Sequence, residues 1–122
     1  MAAVMTSNDV RARLAAIVKA RSVETGREFK LASGRTSTFY CNLKPTMLDA
    51  EGAFLIGKAI IDRLSGKDVE LVGGLEMGAV PLATAAAALS HGTGHPMRAF
   101  FVRKKAKEHG TQSLVEGLPR GE

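Results

Sequence analysis

Apolar and polar positions change period several times along this chain. Val10, Leu14, Ile17 and Val18 recur at helical spacing, which predicts a helix over 8–22 with Ser7 or Asn8 as its cap. The stretch GREFKLASGRTSTFYCNL, 26–43, is different. Phe29 and Leu31 alternate with polar residues, Ser33-Gly34 can turn, and Thr38 to Leu43 is rich in strand formers. That reads as a hairpin or two short strands, ended by Pro45. Helical spacing returns over 49–65. Asp49 is the cap, Phe54, Leu55, Ile61 and Leu64 form an apolar face, and Gly66 is the stop. Val69 to Val72 is a short apolar run that suits a buried parallel strand. GGLEMGA, 73–79, is a glycine-bearing loop. Pro81 opens an alanine-rich helix that runs to about Ser90 and breaks at HGTGHP. MRAFFV, 97–102, is a second buried strand, followed by the polar run RKKAKEHGTQSLVEG at 103–117. There is no internal repeat.

From residue 49 onward the order is helix, strand, loop, helix, strand. Such alternation argues for a parallel α/β sheet flanked by helices. Ligands of such sheets gather at the carboxyl ends of the strands. The 73–79 and 103–117 loops both leave such ends, so they should share one rim. At 122 residues the chain suggests one domain or part of one. Its expected divisions are an N-terminal helix and hairpin hood at 1–48, an αβαβ core at 49–102 and a flexible loop at 103–118.

Composition narrows the class. Apolar residues at 45% and charged residues at 24% are a globular balance, not a disordered one. No apolar run approaches the roughly 18 residues that span a bilayer. The N-terminus lacks the order of a signal peptide. Arg11, Arg13, Lys19 and Arg21 could suggest a transit peptide, but their apolar stripe leads straight into fold-like sequence and reads better as a first helix. The single cysteine, Cys41, allows no internal disulfide and fits a reducing, cytoplasmic setting. Cys41 itself reads as a small buried residue.

The charge is uneven. Net charge is 17 − 12 = +5, and residues 98–109 carry five basic groups and one acid. A basic chain could bind nucleic acid through a broad patch. One short basic run suits a compact anion better. Arg103, Lys104, Lys107 and His109 offer several donors to one polyphosphate. From the residues alone, an anion site and a solvated surface loop are equally good readings of this run. GGLEMGA could bring backbone N–H groups to a phosphate, but a tight strand-to-helix turn explains it as well. Lys30, Arg35, Phe39 and Tyr40 could stack on a planar anion. Core packing for Phe39 and surface placement for the charges is the stronger unaided reading. His91 and His95 flank a turn with no metal-like partner set, and no Cys/His cluster suggests zinc.

Taken together, FKLASGRTSTFYCNL, VGGLEMGAVPLA and RKKAKEHG resemble the orotate phosphoribosyltransferase family, nearly from the first helix to Gly117. The last run is the most specific. It is similar to the family's flexible catalytic loop in residue type and spacing over eight positions, and it follows a strand. The resemblance implies a type I phosphoribosyltransferase fold. It also implies transfer of the 5-phosphoribosyl group from phosphoribosyl pyrophosphate to orotate, giving orotidine 5′-monophosphate and pyrophosphate in pyrimidine biosynthesis. By the same resemblance, Arg103, Lys104, Lys107 and His109 contact the pyrophosphate, with Lys107 and His109 as the catalytic pair. Tyr40 packs against orotate. Mg²⁺ arrives with phosphoribosyl pyrophosphate. The implied assembly is a cytoplasmic homodimer whose basic loop is shared across the interface, binding neither nucleic acid nor membrane.

The chain departs from the family pattern in places. The lysine that precedes SGR in many relatives is replaced by Ala32, and Lys30 could stand in if the strand is regular. A second family lysine aligns with Met77. The strand ending in paired acids, with its Thr/Gly-rich phosphoribosyl-binding loop, does not occur. The chain is therefore expected to be an N-terminal portion that is inactive alone. Alternatives are an inactive fragment, a non-catalytic relative binding phosphoribosyl pyrophosphate or nucleic acid, or a phosphoribosyltransferase for another base.

Overall fold

A computed structural model describes residues 5–106, 110 and 113–118. The first helix, α1 (Ser7–Arg21), forms where the apolar spacing predicts it. Its cap is Thr6, not Ser7 or Asn8. The Thr6 hydroxyl accepts from the Asp9 amide at 3.1 Å, and the Asp9 carboxylate accepts from the Thr6 amide at 3.1 Å. This reciprocal box satisfies two donors that a cap one residue later would leave open. Strand β1 (Val23–Lys30) then pairs antiparallel with β2 (Thr36–Cys41). The hairpin is present, but it begins earlier than alternation indicates, because Val23 to Arg27 carry little apolar signal. Its turn contains Gly34 at φ 86, a left-handed value that suits glycine.

Pro45 does end the hairpin, and it does so inside a short helix, α2 (Lys44–Met47). The helix expected over 49–65 is α3 (Ala50–Leu64), capped by the Asp49 carboxylate, which accepts from the Gly52 amide at 2.9 Å. Strand β3 (Leu71–Leu75) leads to α4 (Ala79–Ser90), with Pro81 in the first turn. Strand β4 (Arg98–Val102) lies parallel to β3 in the register Leu71↔Arg98 to Leu75↔Val102. A two-residue strand, β5 (Val115–Glu116), runs antiparallel to β4 inside the stretch expected to be wholly loop.

The packing order is α1 on α3, α3 on α4, and α4 on β3 and β4. Val10, Ile17 and Leu55 form the centre, with Leu14 and Ala59 against it. Val10 and Leu55 are each 1% exposed. Burying side chains of this kind contributes about 1.5–3 kcal/mol each. Phe54, expected on the apolar face, is largely exposed. Gly57 lets α3 approach α4: a Cβ there would stand 2.8 Å from the Ala85 carbonyl oxygen.

The expected boundaries and the expected burial of β3 both fail. Strand β3 starts two residues later than its apolar run and takes in Gly73 and Gly74, so the loop before α4 shrinks to 76–78. Helix α4 covers one face of the strand. The other face carries Leu71 and Leu75, the latter 63% exposed, because no described element lies over it.

Candidate functional site

The rim is built from the ends of β3 and β4. The Glu76 amide donates to the Val102 carbonyl at 2.9 Å, extending the parallel register one step past the strands. The Glu76 carboxylate then accepts from the Lys104 amide at 2.8 Å. One residue of the GGLEMGA stretch therefore holds the root of the basic run. The two loops share a rim, as the alternation of elements implied. The Glu76–Met77 peptide is cis, and Gly78 is the N-cap of α4.

The basic run opens under restraint. The Arg103 amide donates to the Leu114 carbonyl at 2.6 Å. Its guanidinium donates through Nε to Glu116 Oε1 at 3.1 Å and lies over the Phe101 ring, 5.9 Å from the centroid. Arg103 and Glu116 are both partly buried, so the pair is shielded from solvent more than a fully exposed bridge is. Lys104 and Lys105 extend into solvent. Lys107 and His109, the remaining predicted pyrophosphate ligands, lie outside the described residues. Glu76 and Glu116 were not singled out in the sequence. Acids among bases read as charge balance until the register shows which donors they face.

The hairpin places its residues differently from expectation. Tyr40 is 40% exposed and stacks on Phe29, with centroids 5.5 Å apart and planes 20° apart. Phe29 is the buried aromatic, and Phe39, expected in the core, is 53% exposed. The cation over an aromatic ring is Arg27, 4.1 Å from the Phe29 centroid, rather than Lys30 or Arg35. Lys30 is exposed and ends β1, so Ala32 falls in the turn. The two therefore do not share a regular strand face, and the substitution of one lysine for the other loses its geometric basis. Cys41 is exposed rather than buried, because it closes a strand whose outer face is open. Among the described residues, no hydrogen bond, ion pair or ring contact joins Tyr40 or Lys30 to the rim. His95, read as structural, has Nε2 3.2 Å from the Val69 carbonyl.

Two concavities lie elsewhere among the described residues, an open one of about 640 Å³ beside Glu70, Leu71, Gly94, Pro96 and Arg98 and a smaller one next to it. The smaller, of about 350 Å³, is bounded by Ser65, Lys67, Val69, Ser90, Thr93 and Met97, at the opposite ends of the strands from the rim. Cavity size alone would point away from the loops that carry the chemistry. The rim's donors and register are the better guide.

No family model matches the chain. Relatives do. The orotate phosphoribosyltransferase of Bradyrhizobium diazoefficiens is 56% identical over 118 residues, covering 97% of this chain. The enzyme of the same name from Rhodopseudomonas palustris is 58% identical over the same length. The chain spans 63% of the length of these curated relatives. Among solved structures, orotate phosphoribosyltransferase of Mycobacterium tuberculosis in complex with Fe(III) dicitrate matches with TM-score 0.73 and 41% identity, over 90% of this chain and 61% of that one. The same enzyme in complex with 5-phospho-alpha-D-ribosyl 1-diphosphate matches with TM-score 0.68 and 35% identity, over 90% of this chain and 57% of that one. The chain is therefore similar to the N-terminal part of curated orotate phosphoribosyltransferases and shares the type I phosphoribosyltransferase fold of its structural neighbours.

Proposed function

We propose that this chain supplies the pyrophosphate side of an orotate phosphoribosyltransferase site. The reaction is transfer of the 5-phosphoribosyl group from phosphoribosyl pyrophosphate to orotate, yielding orotidine 5′-monophosphate and pyrophosphate in pyrimidine biosynthesis. The observation that carries this reading is the attachment of a basic run to the carboxyl ends of two parallel strands, through Glu76 and the Lys104 amide at 2.8 Å. Ligands of α/β sheets collect at that edge. Relatives 56–58% identical bear the same name, and the Mycobacterium tuberculosis relative has been solved with phosphoribosyl pyrophosphate bound.

On this reading Arg103, Lys104, Lys107 and His109 contact the pyrophosphate. Their cations stabilise the charge that develops as the leaving group departs from the anomeric carbon. Lys107 and His109 are the catalytic residues. Closure of 103–118 over the site keeps water from the cation-like sugar centre. Tyr40 packs against orotate, with Lys30 on the same hairpin. The loop serves the site of a second subunit in a cytoplasmic homodimer.

Magnesium would enter with the substrate and neutralise part of the diphosphate charge. The described residues do not fit a protein-held ion. No group of three or more His, Cys, Asp or Glu side chains converges among them, and the rim carboxylates face the Lys104 amide and Arg103.

Titration with phosphoribosyl pyrophosphate tests the reading. Saturable binding that weakens with salt is expected, with no affinity for duplex or single-stranded nucleic acid. Salt-sensitive nucleic-acid binding without phosphoribosyl pyrophosphate binding would reverse the assignment. In a version extended to the length of its relatives, Lys107→Ala should cut turnover by orders of magnitude with the fold unchanged. Undiminished turnover there would remove the catalytic role of the run. Competition of orotate against adenine, hypoxanthine and uracil identifies the base.

A further inference from the structure

We infer that Glu116 is a positioning residue that orients Arg103 toward the pyrophosphate; this rests on the reading of the basic run as a pyrophosphate site. A guanidinium has five N–H donors in a rigid fork. Arg103 gives its Nε–H to Glu116 Oε1 at 3.1 Å and lays its plane over Phe101. Among the described residues its terminal amino groups make no hydrogen bond. The fork is thus held at one corner beside the Phe101 ring, and among the described residues its outer edge faces no partner. An arginine held this way loses less rotamer freedom on binding than a free one.

The backbone explains how Glu116 reaches that corner. Phe101 pairs with Glu116, and Val102 with Val115, across β4 and β5. Gly117 follows at φ 102, and a Cβ there would lie 2.7 Å from the Ala99 carbonyl oxygen. Only glycine lets the strand come this close at that backbone angle. The Glu116-Gly117 pair therefore reads as a unit: glycine brings β5 in, and the carboxylate takes the arginine.

A carboxylate beside an anion site has an electrostatic cost. Removing its charge while keeping its oxygen separates that cost from orientation. The test is calorimetric titration of the 122-residue chain with inorganic pyrophosphate, for the wild type, Arg103→Ala, Glu116→Ala, Glu116→Gln and the Arg103→Ala/Glu116→Ala double variant. The Arg103 Nε–H resonance is followed by NMR in parallel. Glu116→Ala should weaken binding about tenfold, the scale of one charge-assisted hydrogen bond. Glu116→Gln should bind at least as well as the wild type, since its amide oxygen accepts the same bond. Added to Arg103→Ala, Glu116→Ala should have no further effect. The slowly exchanging Nε–H should disappear in Glu116→Ala and persist in Glu116→Gln.

Wild-type binding by Glu116→Ala overturns the inference, and so does an equal loss in both Glu116 variants. A Glu116→Ala loss that persists undiminished without Arg103 also overturns it, because the effect would then not pass through the guanidinium. Arg103→Ala with wild-type affinity overturns the pyrophosphate reading instead, while the Nε–H resonance still decides whether Glu116 holds the guanidinium.

Discussion

The Glu51 carboxyl sits below its ordinary value of 4.5 because Arg13 hydrogen-bonds to it and lies beside it as a positive charge. Arg13 Nε reaches Glu51 Oε2 at 2.9 Å and its Nη2 reaches Oε1 at 2.7 Å, a two-point contact that joins α1 to α3. A carboxyl depressed on folding stabilises the fold above its unfolded value, and the contribution is lost as pH falls through the lower folded value. Urea unfolding should therefore show the wild type more stable than Glu51→Gln at pH 7. The difference should vanish once the pH drops well below 4.5. Because the pair is exposed, added salt should shrink it. The buried Ser22 and Thr46 hydroxyls, 2.6 Å apart, behave differently. Thr46→Val leaves the Ser22 hydroxyl without its partner and should cost about 1–3 kcal/mol, whereas Ser22→Ala with Thr46→Val should cost less than the sum of the single changes. Denaturant midpoints of the three variants check this. Neither hydroxyl is marked in the sequence, since a serine and a threonine 24 positions apart carry no sign of contact.

Among the elements, the helices were the most legible. Asp49, Gly66 and Pro81 act on their own backbone within a turn, so their meaning is local. Gly52 and Gly57 in α3 are the reverse. Glycine in a helix interior is a liability by propensity, and its reason here is the surface it faces. Gly57→Ala should improve the isolated helix yet destabilise the chain by about 1–3 kcal/mol, because the added methyl meets the Ala85 backbone. A stability equal to or above the wild type, measured by thermal unfolding, would show that α3 and α4 do not pack this closely. Strand boundaries were less legible. The run at 69–72 marks apolar character, but β3 is set by which residues find hydrogen-bond partners on β4. That carries Gly73 and Gly74 into the strand.

At the scale of the molecule, the fold brings the carboxyl ends of β3 and β4 and the root of the basic run to one rim. Its basic run should make affinity for phosphoribosyl pyrophosphate fall steadily between low and physiological salt, where the screening length shortens toward about 8 Å. Glu76→Ala, which frees the root of the run at Lys104, should weaken that binding while leaving the helical core intact by circular dichroism. Binding equal to the wild type would mean that the contact between Glu76 and Lys104 does not set the run's position. The spacing of Arg103, Lys104, Lys107 and His109 is visible in the sequence because it is a local pattern of charge. The order of helices and strands was visible because each follows from a short-range period. Both are properties of consecutive residues, and the sequence determines them by itself. The opposition of Glu116 to Arg103, the reach of Glu76 to Lys104, the stacking of Tyr40 on Phe29 and the open face of β3 join residues far apart in the chain. Only the tertiary structure decided these, because strand register and helix approach are settled by packing across the whole fold.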